Sequence, residues 1–288
     1  KSKRIIELTS NEAGIVFRKD KTFLLDWMQV YMEAQESAGK KDGSQIKIAM
    51  RILKDYAGEM VTLDQIDGDF CRGYITYLLT EYHPKGKDIS NYTLHNYYRA
   101  LNGALNSAVR KKKMKANPFN ELEKSEKIRK PESMRSYMTI EEVQALIDTP
   151  MPHEEYEIVK CAYLFSCFCG LRISDIIKLK WNDVFVDRGQ YRLAVSMKKT
   201  KEPIYLPLSP EALKWMPERG GKSSEDNVFD LPSANTIRMQ LKPWAKAAGI
   251  SKRFSYHTSR HTFATMMLTL GADLYTVSKL LGHADVKI

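Results

Sequence analysis

The sequence predicts a mainly α protein built as an N-terminal four-helix domain and a C-terminal α+β domain with a small antiparallel sheet. Three observations carry this. Apolar residues recur at helical spacing through the first 115 residues. A charged, proline-punctuated stretch follows at 116–137. Beyond it, helical text is interrupted once, near 184–208, by short alternating runs. At 288 residues and 43% apolar, the chain is long enough for two cores.

Residues 1–20 are polar and read as an extended leader. Phe23, Trp27 and Val30-Tyr31 open the first helix, and a second runs from about Gln45 to Tyr56. Thr62 and Gln65 form a capping-box pattern ahead of a third helix near 67–82, which His83-Pro84-Lys85-Gly86 ends. The fourth helix starts near Tyr92, carries Leu94, Tyr98, Leu101, Leu105 and Val109 on one face, and ends in Arg110, Lys111, Lys112, Lys113, Met114 and Lys115. These helices define a domain over 21–115, with 116–137 as linker and 138–288 as the second domain.

In the second domain Thr139 and Glu142 form another capping box, and helices are expected near 139–148 and 154–169. Gly170-Leu171-Arg172-Ile173-Ser174-Asp175 leads into a further helix with Ile176, Ile177 and Leu179. Val184-Phe185-Val186, an Asp-Arg-Gly-Gln turn, Tyr191–Met197 and Ile204–Leu208 read as strands, the last two joined by a lysine-rich turn. Ser209-Pro210 caps a new helix, 218–227 is a loop, and 233–288 is helical with breaks at Gly249 and Gly271.

The net charge of +10 and pI of about 9.2 suggest a polyanionic partner. Residues 85–130 hold twelve lysines and arginines against four acids, so this segment carries most of the excess. A cationic helix end complements the helix dipole. Five cations in six residues exceed that need, and Arg110, Lys111, Lys112, Lys113 and Lys115 are expected to contact nucleic-acid phosphates. Cys71, Cys161, Cys167 and Cys169 have neither disulfide nor zinc spacing, and Cys161, Cys167 and Cys169, among Ala, Leu and Phe, read as buried thiols of a reducing cytoplasm. No signal peptide or membrane-length apolar run is visible, so no membrane partner is expected.

The most informative text is His257-Thr258-Ser259-Arg260-His261-Thr262-Phe263-Ala264, followed by Leu280-Leu281-Gly282-His283. His257 and Arg260, three apart, share one helical face. Two imidazoles and a guanidinium without a carboxylate suit an anion, most simply a phosphate, better than a metal. Each residue also has an ordinary reading. Arg172 could pair with Asp175, Lys199 could be solvated charge, His257 a cap and His283 a helix end.

Taken together, Gly170-Leu171-Arg172-Ile173-Ser174-Asp175-Ile176, Lys199-Thr200 before Ile204-Tyr205-Leu206-Pro207-Leu208, and the two histidine motifs resemble the catalytic domain of the tyrosine recombinases, the phage-type integrases. The N-terminal helices are similar to that family's core-site-binding domain, and the resemblance spans about residues 20–288. It implies a site-specific DNA recombinase or integrase. Such an enzyme breaks and rejoins DNA through a 3′-phosphotyrosyl intermediate, integrating or excising a mobile element. It implies double-stranded DNA as partner, a homotetramer on paired sites, accessory DNA-bending proteins, and work at the nucleoid in the cytoplasm.

The catalytic residues implied are Arg172, Lys199, His257, Arg260 and His283. Two arginines can grip the non-bridging oxygens of a phosphodiester under attack. The resemblance gives Lys199, in preference to Lys198 or Lys201, the proton for the leaving 5′-oxygen. His257 handles a proton on the nucleophile side, and His283 hydrogen-bonds the phosphate. No metal or cofactor is expected, because guanidinium and ammonium groups supply the positive charge. Asp175 is expected to orient structure. The family's nucleophilic tyrosine lies a short way past the last histidine, whereas the sequence ends at Ile288, five residues after His283. That tyrosine is therefore expected outside this chain, with Tyr275 as a packing residue. A DNA-binding fragment or regulator without chemistry, a type IB topoisomerase and a metal-dependent nuclease are the alternatives.

Overall fold

The computed structural model describes residues 21–132, 135–196 and 203–282. The chain is mainly α with one three-stranded antiparallel sheet, and divides into two compact units, Lys1–Ser133 and Met134–Ile288.

The first unit holds α1 (Leu24–Ser37), α2 (Gly43–Ala57), α3 (Gly68–Thr80) and α4 (Asn91–Arg110). Each buries an apolar stripe, with Met28, Ile52, Leu78 and Leu101 meeting in one core. The Trp27 indole N–H donates to the Ala104 carbonyl at 2.8 Å, which satisfies a buried polar tip and ties α1 to α4. The Thr62–Gln65 capping box is real but closes a 3-10 turn, Leu63–Gln65. The N-cap of α3 is Asp67, whose carboxylate accepts from the Phe70 amide at 2.8 Å.

Two further differences concern the end of this unit. Of the basic run, only Arg110 is helical. Lys112 has φ +58°, and the Lys113 amide returns to the Ala108 carbonyl at 2.9 Å. This Schellman closure ends α4 without glycine. The segment expected as a linker contributes Phe119, Leu122 and Ile128 to the first core. Asn117 accepts from the Phe119 amide and donates to the Asn102 and Asn106 side chains. Proline and charge on the surface of this segment masked its apolar anchors.

The second unit contains α5 (Ile140–Asp148), α6 (Glu157–Cys169), α7 (Ile173–Ile176), β1 (Val184–Asp187), β2 (Gln190–Ser196), β3 (Pro203–Pro207), α8 (Pro210–Lys214), α9 (Ala234–Ala247), α10 (Tyr256–Thr269) and α11 (Leu274–Leu280). Helix α6 is apolar nearly all round and is enclosed by its neighbours. The strands run in the order β1-β2-β3, with Leu193 opposite Val184 and Leu206. Leu193 and Leu206 face the core, whereas Tyr205 faces out. Arg188 and Gly189 both have positive φ, 51° and 80°, the backbone of a two-residue hairpin turn.

Candidate active site

Helix α10 carries the site because it is locked onto α6 by buried polar contacts. Tyr163 and Thr258 share a hydrogen bond of 2.9 Å. The Tyr256 hydroxyl donates to the Ala162 carbonyl at 2.7 Å, and Ser166 lies 2.9 Å from the same hydroxyl. Buried polar groups must be paired, so these bonds specify the rotation and height of α10 against α6. His257 and Arg260 then project from one face of α10, as their spacing requires.

Arg172 arrives from the other side. Gly170 ends α6 with φ +74°, in the left-handed region that favours glycine. An added Cβ there would stand 2.6 Å from Phe263, so the close approach of this turn to α10 also requires glycine. Two residues later Arg172 is the N-cap of α7. Arg260, only 4% exposed, donates from Nη1 to the Gly170 carbonyl at 2.7 Å and from Nη2 to the Leu281 carbonyl. One guanidinium thus joins the α6–α7 turn, α10 and the end of α11.

Burial and neighbouring guanidiniums set the electrostatics of this cluster. Burial, followed by the Arg172 charge, lowers the Arg260 pKa to about 10, with Asp175 opposing. At neutral pH Arg260 remains charged. Asp175 is 6% exposed, accepts from the Ser174 hydroxyl at 3.2 Å, and has a buried Oδ2 without a partner. Its negative charge favours the charged form of Arg260. The His257 pKa is lowered, first by partial burial and then by Arg260, Arg172 and Arg135. A neutral imidazole can accept a proton, which suits general-base work.

Of the residues expected to be catalytic, the structure brings Arg172, His257 and Arg260 together. Lys199 and His283 lie outside the described residues, as do the rival lysines Lys198 and Lys201. Tyr275 is a correction. It is 60% exposed with the Lys279 ammonium 5.4 Å from its ring, so it does not pack in a core. Helix α11 turns its Val277 face inward and leaves Tyr275 on the solvent side. The expected DNA contacts Arg110, Lys111, Lys112, Lys113 and Lys115 are all exposed in the first unit. Nearby on α4, Tyr92, Asn96 and Arg99 line a polar cleft of about 490 Å³ with Tyr31 and Lys41.

Two neighbours of His257 were passed over in the sequence. The His261 ring stands nearly perpendicular to that of His257, with centroids 4.6 Å apart. Burial, then His257, Arg135 and Arg260, lower the His261 pKa to about 4. The spacing of four from His257 was a usable signal for His261. Arg135 precedes α5 in a segment with no motif, and nothing local marks it.

A small helical unit followed by an α+β unit that clusters two arginines and a histidine is an integrase-type architecture. Residues 136–288 match the phage integrase family, and residues 23–130 match the phage integrase SAM-like domain. The chain belongs to the phage integrase family. It is similar to the tyrosine recombinase XerD of Vibrio vulnificus (strain YJ016), 32% identical over 171 residues, 54% of this chain and 55% of that protein. It is also similar to the tyrosine recombinase XerC of Pelobacter propionicus (strain DSM 2379 / NBRC 103807 / OttBd1), 28% identical over 239 residues, 80% of this chain and 75% of that protein. The chain spans about half the length of the XerD relatives it matches. Its fold is shared with the Tn1549 transposon integrase in complex with circular intermediate DNA, at TM-score 0.70 and 16% identity, covering 92% of this chain and 93% of that one. It is shared as well with the lambda integrase tetramer bound to a Holliday junction, at TM-score 0.67 and 19% identity, covering 98% and 87%.

Proposed function

We propose that the protein is a site-specific DNA recombinase that breaks and rejoins double-stranded DNA through a 3′-phosphotyrosyl intermediate, integrating or excising a mobile element. The observation that carries this reading is the convergence of Arg172 and Arg260 beside a neutral-leaning His257, with Arg260 held by two backbone carbonyls. Like charges meet at such a site at an electrostatic cost that a bound phosphate offsets. The two guanidiniums take the non-bridging oxygens and stabilise the charge that spreads over them during attack. His257 accepts the proton of the attacking tyrosine. That residue lies past His283 in the family pattern. Lys199 donates to the leaving 5′-oxygen, and His283 donates a hydrogen bond to the phosphate.

The exchange conserves bond energy. The phosphotyrosyl ester keeps the phosphodiester's free energy, and a 5′-hydroxyl from a partner duplex reverses it. The exposed Arg110–Lys115 run and the α4 cleft hold the DNA on the first unit through phosphate contacts. The working form is a homotetramer on paired sites, assisted by accessory DNA-bending proteins and acting at the nucleoid. Among the described residues no helix is long and apolar enough to cross a membrane.

The test is trapping on nicked duplexes that span candidate attachment sequences. The native protein is expected to form an SDS-resistant covalent adduct. Arg172→Ala and Arg260→Ala are expected to abolish the adduct while a gel shift persists. Equal loss of adduct and gel shift, or relaxation of plasmids without any two-site exchange, would overturn the recombinase reading.

A further inference from the structure

Arg135 is exposed, and among the described residues it forms no ion pair. Its place is nonetheless set by the fold. Three residues on, the Met138 amide donates to Thr262 Oγ1 at 2.9 Å, and Met138 is buried in the core of the second unit. Thr262 directly follows His261 on α10. Three residues of chain reach at most about 10 Å, so this tether keeps Arg135 beside the His257–His261 pair.

The charge of Arg135 bears on both imidazoles and disfavours their protonated forms. Arg135 therefore lies within electrostatic reach of both imidazoles. Lys252, beside the same segment, pairs with Glu142 at 2.5 Å and lies 5.6 Å from the Tyr137 ring centre. Arg135 itself faces solvent.

We infer that Arg135 is a further DNA-phosphate contact of this site, seated on the backbone phosphate next to the one held by Arg172 and Arg260. This rests on the recombinase reading for the identity of the polyanion. An arginine fork presents several donors to phosphate oxygens, and consecutive phosphates on one strand require separate cations along its path. The contact would fix the strand's register across the histidines without reading its sequence.

The test uses the native protein, an arbitrary duplex of about thirty base pairs, and two readouts. Salt dependence of binding is followed by fluorescence anisotropy. Histidine titration is followed by NMR of the imidazole C–H signals. Arg135→Gln is expected to reduce the slope of log K against log salt by about one and to weaken binding several-fold. Without DNA it is also expected to raise the apparent pKa of His257 and His261, because a nearby cation is gone. Arg135→Lys should retain most of the slope, which separates charge at this position from a folding defect. An unchanged slope for Arg135→Gln, with steep salt dependence in the wild type, overturns the assignment of Arg135 alone. Unchanged histidine titration overturns its placement. A wild-type protein without salt-dependent DNA binding overturns the recombinase reading itself.

Discussion

The Nη1 of Arg260 donates to the carbonyl oxygen of Gly170 at 2.7 Å, ninety residues away in sequence. Through this contact a buried side chain of α10 holds the turn that presents Arg172. The second Nη donates to the Leu281 carbonyl, directly before Gly282 and His283. Among the described residues these two carbonyls take two of the five N–H donors of the fork. Arg260 is thus both a candidate phosphate grip and the tie that assembles the site around it.

That double role separates the two arginines. Arg260→Ala is expected to cost about 3 kcal/mol of stability, because it strands the two buried carbonyls that its guanidinium satisfies. Arg172→Ala, at a partly exposed helix start, should cost less while removing adduct formation just as fully. Urea denaturation run beside the adduct assay resolves the difference. Equal stability losses would show that Arg260 is not the structural tie.

Gly170→Ala should destabilise the protein by at least about 2 kcal/mol, since the left-handed backbone alone costs an alanine about 1–2 kcal/mol. The new methyl would also press on Phe263, 2.6 Å away. Displacement of the turn should lower adduct yield in the surviving folded fraction. Thermal melts with single-turnover trapping check both effects.

Stability should fall as pH drops from about 6.5 toward 4. The His261 pKa is about 4 in the fold against 6.5 in the free side chain, so across that window the unfolded chain binds a proton that the folded chain refuses. Below about 4 both states are protonated and the loss levels off. Allowing for the partial exposure of His261, the effect is about 1–2 kcal/mol. His261→Phe keeps a ring against His257 and should flatten the curve. A urea midpoint series at pH 7, 5.5 and 4.5 for both proteins measures it.

The α6–α10 lock should appear as coupling. Tyr163→Phe and Thr258→Val each remove one side of a buried 2.9 Å hydrogen bond. Each should cost about 1–2 kcal/mol, and the double variant should cost less than their sum by about 1 kcal/mol. Additive losses would show that the bond does not hold the helices in register.

Phe119→Ala should cost about 3–4 kcal/mol, the range for deleting a buried phenyl ring. Phe119 is 1% exposed and meets Tyr98 edge-on, with ring centres 5.0 Å apart. A free linker would tolerate the change. Chemical denaturation of the intact chain reports it as a loss confined to the first unit.

Local patterns were legible where local physics decides. The helical stripes of α1, α2 and α4, the Thr139–Glu142 capping box and the Arg188-Gly189 turn all depend on residues within a few positions. The spacing of His257 and Arg260 likewise stated that they share a face. Other features were not legible, because the partner is distant in sequence. Phe119, Leu122 and Ile128 look like linker residues until α4 and its neighbours cover them. Tyr275 reads as packing until α11 turns its other face inward. The Thr62–Gln65 box marks a helical start without saying that it stops after one turn.

The sequence by itself determined the class of the protein and the chemical types in its site: two arginines, a histidine and a basic excess suited to phosphate. Residue type and short-range spacing suffice for that. Only the tertiary structure decided which groups meet. It placed Arg172 across from Arg260 through a glycine turn, set His261 and Arg135 around His257, and tied the Arg260 guanidinium to the Gly170 and Leu281 carbonyls. Charges act across space over several ångströms whatever their separation along the chain, so their mutual effects on pKa and binding appear only after the helices have packed.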